Sequence, residues 1–499
     1  MKHLPLILLS TGIGITSASA AQPDSNKPNI IFFLVDDMGW MDCSTNGSQY
    51  YETPNMERLA EQGRLFTNAY SASPLSSPTR ASIMTGRAPE RFHLTTPAGH
   101  LPPNPDVPLL KKQDAAWKKM IEATSRTFMP KEEVTIAERL KEAGYATCHI
   151  GKWHLGHEPY YPQHQGFDTV IASGHHPGPP NYFSPYKIAG FKNGPDKEYI
   201  TDRLTDEALR YIETHRDTLF YLNMWHYAVH APYQGQLSLM EKYQNKVDPR
   251  GKQNCAIMAA MIESMDASLG RIMDKLDELG IADNTLIVFV SDNGGNEYDI
   301  LDSGYPTNND PLRSGKGNIH EGGVRVPCII SWPGTIKAGT RSDHIVSTYD
   351  FFPTLLQIAG LQPDPTIELD GESIMPLLTD KGKMKRKAIF THFPHYVVAT
   401  NNLPSSSVRT DKWKLIRTYG EGPERTCSYE LYKIREDIGE QHNLADKYPK
   451  IVQQLDRMLD DHLRRTQATI PVLNPNYDPS AASPMGKQNR FPVENYPCY

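Results

Sequence analysis

Two runs, "NIIFFLV" at residues 29–35 and "TLIVFV" at residues 285–290, constrain this chain more than any other feature. Each is continuous, apolar and rich in β-branched or aromatic residues, which suits central strands buried on both faces of a sheet. Around them, strand-like runs alternate with amphipathic helices over most of the 499 residues. That alternation means parallel strands with covering helices. Some helix starts are legible. Thr53 with Pro54 opens "TPNMERLAEQG", while Thr135 with Glu138 three residues later forms a capping box in a helix that Gly144 stops. Met258, Met261 and Met265 form a stripe on a long helix and read as core.

The expected fold class is therefore α/β, with a large mixed, mostly parallel central sheet and helices on both faces. From about residue 386 the pattern changes to short strands, "SSVRTDKWKLIRTY" and "SYELYKI", followed by one helix and a tail rich in Pro and Asn. Residues 21–385 are assigned to the main domain. Residues 386–499 are assigned to a smaller α+β subdomain with an antiparallel sheet and an irregular tail.

Residues 1–20 read as a secretory signal, with Lys2 and His3 at the start, the apolar "LPLILLSTGIGIT", and "ASA" before Ala21. The apolar run is too short for a membrane anchor. This places the mature chain in the periplasm or outside the cell, without membrane insertion. The six cysteines are far apart and form no CxxC or CxxH pattern, which argues against a structural zinc site; their pairing stays open, and Cys328, in an apolar run, reads as a buried thiol. The net charge of −6 is modest, and Lys and Arg are read as dispersed, so no nucleic-acid groove is expected.

Both buried runs end in acid: Asp36 and Asp37 after the first, Asp292 and Asn293 after the second. Sites in open α/β sheets form at the carboxyl ends of strands, so two such ends can bring four oxygen ligands into one crevice. Three carboxylates and an amide, without thiol or imidazole, suit a hard cation such as calcium better than zinc. Loop contexts add Lys152 and His154 in "GKWHLGH", His226 and His230 in "WHYAVHAPY", and Lys316 in "LRSGKGNIHEGGVRVP". With Arg80, these supply the cationic or proton-donating groups that an oxyanion such as sulfate or phosphate would need.

The stretch "SSPTRASIMTGR" at 76–87, together with "DDMGW", "GKWHLG", "HAP", "SDNGG" and "GKGNIHEGGVRVP", resembles the motifs of the type I sulfatases of the alkaline phosphatase superfamily, in family order from Pro28 to about Ala445. The resemblance implies an alkaline phosphatase-like fold and a formylglycine made by oxidation of the Cys or Ser two positions before the proline. Here that residue is Ser76, not Ser77. It also implies Asp36, Asp37, Asp292 and Asn293 as calcium ligands, with residue 76 at the metal. Arg80, Lys152 and His154 would hold the aldehyde hydrate, while His230 and Lys316 would contact the sulfate and its leaving oxygen. His226 lacks the motif position and reads as structural. Thr79, Met84 and Met41 depart from the usual Ser, Leu and Gly, and none of these changes removes a reacting group.

A hydrate hydroxyl would attack sulfur and the second hydroxyl would then expel sulfate, which a plain serine cannot do. The serine form implies a radical formylglycine-generating maturation enzyme as partner. The expected substrate is a sulfated carbohydrate, a glycosaminoglycan or algal polysaccharide fragment, with a galactose or N-acetylgalactosamine sulfate as the favoured unit. His175, His176, His392 and His395 are candidate sugar contacts, with a role-free surface position the alternative for each. Rival readings are a two-zinc phosphatase or phosphodiesterase on the same fold, and a catalytically dead exported glycan-binding protein.

Overall fold

Strand Asn29–Val35 lies near the middle of a nine-stranded sheet and pairs in parallel with Phe220–Trp225 on one side and Thr285–Ser291 on the other. The computed structural model describes residues 27–499 apart from Ser303 and Tyr496, so the expected signal at 1–20 lies outside the described residues. Across the sheet the order is Thr340–Ser342, Arg64–Tyr70, Arg325–Ser331, Thr285–Ser291, Asn29–Val35, Phe220–Trp225, Ala146–Gly151, Thr169–Ile171, with Val346–Ser347 also on Arg64–Tyr70. Only Arg325–Ser331 runs against its neighbours, which makes the sheet mixed but mostly parallel.

The unbroken apolar run of the central strand is explained by its two covered faces. Ile31, Phe33 and Val35 pack with Met258, Met261 and Met265 of helix Ala256–Glu278, whereas Ile30, Phe32 and Leu34 pack with Ala81, Met84 and Phe351 on the opposite side. The capping box at Thr135 and Glu138 is present in helix Ile136–Glu142, and Gly144 follows with φ +90°. Thr53 behaves differently from the expectation. Its hydroxyl accepts the Ser44 N–H at 3.0 Å, and the Asp266 carboxylate instead caps Asn55 N–H and Met56 N–H at 2.9 and 2.8 Å. A carboxylate from a distant helix outcompetes the local hydroxyl here.

The second sheet is antiparallel and ordered Ala388–Phe393, Ser405–Thr410, Trp413–Thr418, Ser428–Lys433. Helix Pro449–Arg465 covers one face by packing Leu455, Leu459 and Leu463 on Ala388, Val408, Leu415 and Leu431. The other face meets the main domain through Phe393, Ile416, Tyr432, Leu75 and Ile319. The tail is less irregular than expected: Val472–Leu473 pairs with Met120–Ile121, and Asn489–Arg490 with Asp299–Ile300, because main-domain loops offer it unpaired backbone. Cys328 is fully buried. Among the described residues no helix is long and apolar enough to cross a membrane.

One buried ionic group ties the two sheets together. Lys414 Nζ sits 3.0 Å from Glu321 and 2.9 Å from Glu440, and all three side chains are almost wholly withdrawn from water. Burial alone would lower the lysine's pKa, but the two carboxylates outweigh it and raise it. Lys414→Ala would leave two carboxylates in one dry pocket, so it should lower unfolding free energy by about 3–5 kcal/mol. A reduced urea midpoint is the expected result, and an unchanged midpoint would contradict the role given to this group.

Candidate active site

The parallel register of the two central strands aligns Val35 with Ser291, which sets Asp36 and Asp292 side by side just beyond the sheet. The carboxylates of Asp36, Asp37 and Asp292 approach one another so that one oxygen of each lies within 4.8 Å of the others, and all three residues are buried. Asn293 completes the group, with its amide nitrogen donating to Asp37 at 2.8 Å. Asp37 takes φ +62°, a left-handed conformation that a non-glycine residue holds only when its surroundings enforce it.

Ser76 starts helix Ser76–Thr85, every residue of which is buried, so the positive end of the helix points at the acidic group. Its Oγ lies 3.2 Å from Asp36, 3.2 Å from the Asn293 side-chain oxygen and 3.3 Å from Lys152 Nζ. Ser77 turns the other way and donates to the His154 carbonyl at 2.7 Å. One turn on, Arg80 is fully buried, stacks over Trp225 at 5.1 Å, and donates to Asp292 at 2.9 Å and to the Lys152 carbonyl at 3.0 Å. Lys152 contacts Asp36 at 2.6 Å, and Lys316 contacts Asp37 at 2.6 Å. His230 Nε2 lies 3.6 Å from Asp37, while its Nδ1 is 2.7 Å from the Ala231 carbonyl. Because a carbonyl only accepts, Nδ1 carries the proton and Nε2 is the nitrogen turned inward.

Charges in this pocket are not ordinary. Burial pushes Asp36 up to about 8, with Asp292 and Asp37 adding to the rise against Lys152 and Arg80. Burial also pushes Asp37 up, but Lys316, His230 and Lys152 outweigh it and bring its pKa down. Lys152 is lowered by burial and by Arg80 despite its carboxylate neighbours. Lys316 is raised, since Asp37 outweighs the burial that opposes it. Burial and Lys316 push His230 down to about 3. His154, at φ +61°, is held well below its usual value by burial and by Lys152 and His100.

A hard divalent cation fits this group. The converging donors are oxygens, and burial together with the neighbouring Asp292 and Asp37 raises Asp36, a load that a cation would relieve. Asp36, Asp37, Asp292 and the Asn293 oxygen are the residues that would hold it.

The candidate sugar contacts separate into two pairs. His154 meets His100 at 3.2 Å, His157 reaches the His100 carbonyl at 2.7 Å, and His175 stacks on His157 at 4.0 Å with His176 beside it at 4.6 Å. His175 and His176 thus stand at the outer end of a line of imidazoles leading from the site. His392 and His395 differ from the expectation, because both are buried. Ser406 and the Thr469 carbonyl occupy the two ring nitrogens of His392, and Thr95 engages His395 at 2.7 Å, so these rings pack the subdomain junction. His226 is also internal and pairs with Ser268 at 2.9 Å. The sequence reading missed His100, which stands in a loop with no periodicity or motif to mark it.

Fold and site together define a class: a hydrolase on an alkaline phosphatase-like scaffold whose centre gathers cations and a hydroxyl at a carboxylate cluster. A family model described as Sulfatase matches residues 28–361, and a second, N-sulphoglucosamine sulphohydrolase, C-terminal, matches residues 315–468. The chain belongs to the sulfatase family and is an enzyme that hydrolyses sulfate esters. It is 35% identical over 409 residues to mouse N-acetylgalactosamine-6-sulfatase, covering 77% of this chain and 72% of that protein. A Formosa agariphila sulfatase is 32% identical over 510 residues, covering 87% and 88%. Among solved structures, Ps i-CgsB in complex with k-i-k-neocarrahexaose superposes with a TM-score of 0.71 at 28% identity, over 87% of this chain and 92% of that one.

Proposed function

We propose that the enzyme removes sulfate from a sulfated carbohydrate, a glycosaminoglycan or algal polysaccharide fragment, with a galactose or N-acetylgalactosamine sulfate as the favoured unit. The observation that carries this reading is the convergence of Asp36, Asn293 and Lys152 within 3.3 Å of Ser76 Oγ at the start of a buried helix. The likeness to N-acetylgalactosamine-6-sulfatase and to a structure solved with a neocarrahexaose supports the choice of sugar. In this reading a radical maturation enzyme oxidises Ser76 to formylglycine, whose hydrate supplies the nucleophilic hydroxyl and a second hydroxyl for release of sulfate. Asp36, Asp37, Asp292 and Asn293 would hold calcium, which when bound would supply Lewis acidity at the site. Export to the periplasm or beyond by a cleaved leader completes the assignment.

The chain's own groups divide the remaining work. Arg80, fixed between Asp292 and Trp225, holds the acidic cluster in place and cannot swing away. Lys152 and His154 orient residue 76, while Lys316, kept protonated by Asp37, binds the sulfuryl oxygens. His230 presents Nε2 to the leaving oxygen. Since the protein's own groups hold His230 near 3, the negative charge of the ester must supply the attraction that protonates it.

Lys316→Ala should lower kcat/KM by on the order of a hundredfold or more. His230→Ala should do the same on an alkyl sulfate, with a defect that shrinks on an activated aryl sulfate whose leaving group needs little protonation. Wild-type rates in both variants would remove these roles. The reading as a whole is tested by a desulfation screen over defined sulfated mono- and oligosaccharides with matched phosphate esters. Two zinc ions per chain together with a preference for phosphate would overturn it.

A further inference from the structure

Away from the catalytic centre, a cavity of about 900 Å³ opens where the edge strand Thr340–Ser342 meets the segment leading into the second sheet. Seven Lys or Arg line it against three Asp, an excess of four positive charges on a chain whose net charge is −6. Much of this charge comes from "KGKMKRK" at 381–387, a basic run that corrects the reading of Lys and Arg as dispersed. The cavity is not part of the site already described. Thr340 pairs with Arg64 at the start of a seven-residue strand whose far end lies toward the catalytic side, about 20 Å along the sheet, and the central strand is several spacings of about 4.8 Å further across.

The lining groups fall into two sets. Guanidiniums are fixed: Arg64 by Asp380 at 2.8 Å, Arg386 by Asp350 at 2.7 Å, and Arg435 by Asp343 at 2.7 Å and Asp411 at 2.6 Å. The exposed amines of Lys337, Lys383 and Lys387 form no close ion pair with a carboxylate among the described residues, although Lys337 stands near enough to Asp380 to help Arg64 hold that carboxyl below its usual value. Held arginines give direction to an anion and exposed lysines give charge, the combination that binds spaced sulfate groups. No Phe, Tyr or Trp lines the cavity, which removes the stacking platform that single-stranded nucleic acid requires. Its concave form excludes a flat bilayer, and its volume suits a ligand of sulfated di- or trisaccharide size.

We propose that this cavity is a second glycan-binding site, which holds a sulfated segment of the polysaccharide while another part of the chain is presented to the catalytic centre. The proposal rests on the reading of the substrate as a sulfated carbohydrate. It predicts two classes of substrate behaviour: polymers feel the cavity, and small esters do not.

The test replaces Lys337, Lys383 and Lys387 together by Ser, with Lys383→Glu alone as a second variant should the triple one fold poorly. Binding to chondroitin 6-sulfate and ι-carrageenan chains is measured in a Ser76→Ala background, and turnover of a monosaccharide sulfate is measured in the matured enzyme. Affinity for the polymers should fall by on the order of tenfold at about 0.15 M salt, and chemically desulfated chains should not bind. Turnover of the small ester should stay within about twofold of the parent. Equal polymer affinity in variant and parent would overturn the proposal, as would tighter cavity-dependent binding of single-stranded DNA of matched charge. Desulfation of monosaccharides with cavity-independent polymer binding would defeat this inference alone. Cavity-dependent polymer binding without desulfation of any carbohydrate would support the binding site and defeat the substrate reading instead.

Discussion

Protein expressed without a serine-directed radical formylglycine-generating enzyme should fold and yet turn over sulfate esters on the order of a thousandfold more slowly than the matured form. Maturation should make the tryptic peptide ending at Arg80 lighter by two hydrogens at Ser76, and a carbonyl reagent should trap it. The neighbouring serine provides the control. Ser77→Ala keeps the oxidised position but loses the bond to the His154 carbonyl at 2.7 Å and the acceptor for Gly99 N–H at 3.3 Å. It should therefore be oxidised normally while losing about 1–3 kcal/mol of stability. Oxidation found at Ser77, or full activity over many turnovers in unmodified protein, would end the mechanism proposed here.

Asp292→Ala should be the most damaging single change to the acidic cluster. Asp292 accepts the Asp37 N–H at 3.2 Å and pairs with the fully buried Arg80 at 2.8 Å, besides being a proposed ligand. Its loss should remove bound calcium, lower activity by about a thousandfold or more, and cost about 3–5 kcal/mol of stability because a buried guanidinium loses its nearest carboxylate, with Asp36 left at 3.6 Å. In the wild-type enzyme, chelation should stop turnover, and calcium should restore it better than zinc. Full activity in protein shown to be metal-free would refute the metal assignment.

What could be read from sequence depended on whether the cause was local. The two-faced burial of Asn29–Val35 was legible because an unbroken apolar run has no polar face to turn outwards, and the Thr135 box was legible because both partners lie within one turn. Thr53 misled, since its competitor, Asp266, stands more than two hundred residues away. Strand Ala388–Phe393 passed unnoticed, with a threonine and a histidine interrupting its apolar character. Asp36, Ser76, Lys152 and Lys316, singled out by motif and strand end, come together in the structure. His100 has neither, and only the fold brings it to His154. His392 and His395 were read as candidate sugar contacts, with a role-free surface position as the alternative, whereas the packing of the second sheet against the main domain closes over them.

Ser76 is only 2% exposed, and its helix is buried throughout. On the proposed maturation route the folded chain would offer an oxidising enzyme no handle on this residue, so oxidation and folding would compete for the same nascent molecule. Each chain that collapsed first would be lost to maturation without being damaged, and it would still compete with active enzyme for glycan. The active fraction of a preparation would then be a record of relative rates, set by how long the segment around Pro78 stays unfolded. Slowing collapse, by lower temperature or by a chaperone that delays it, should raise that fraction even though the mature protein itself is unchanged.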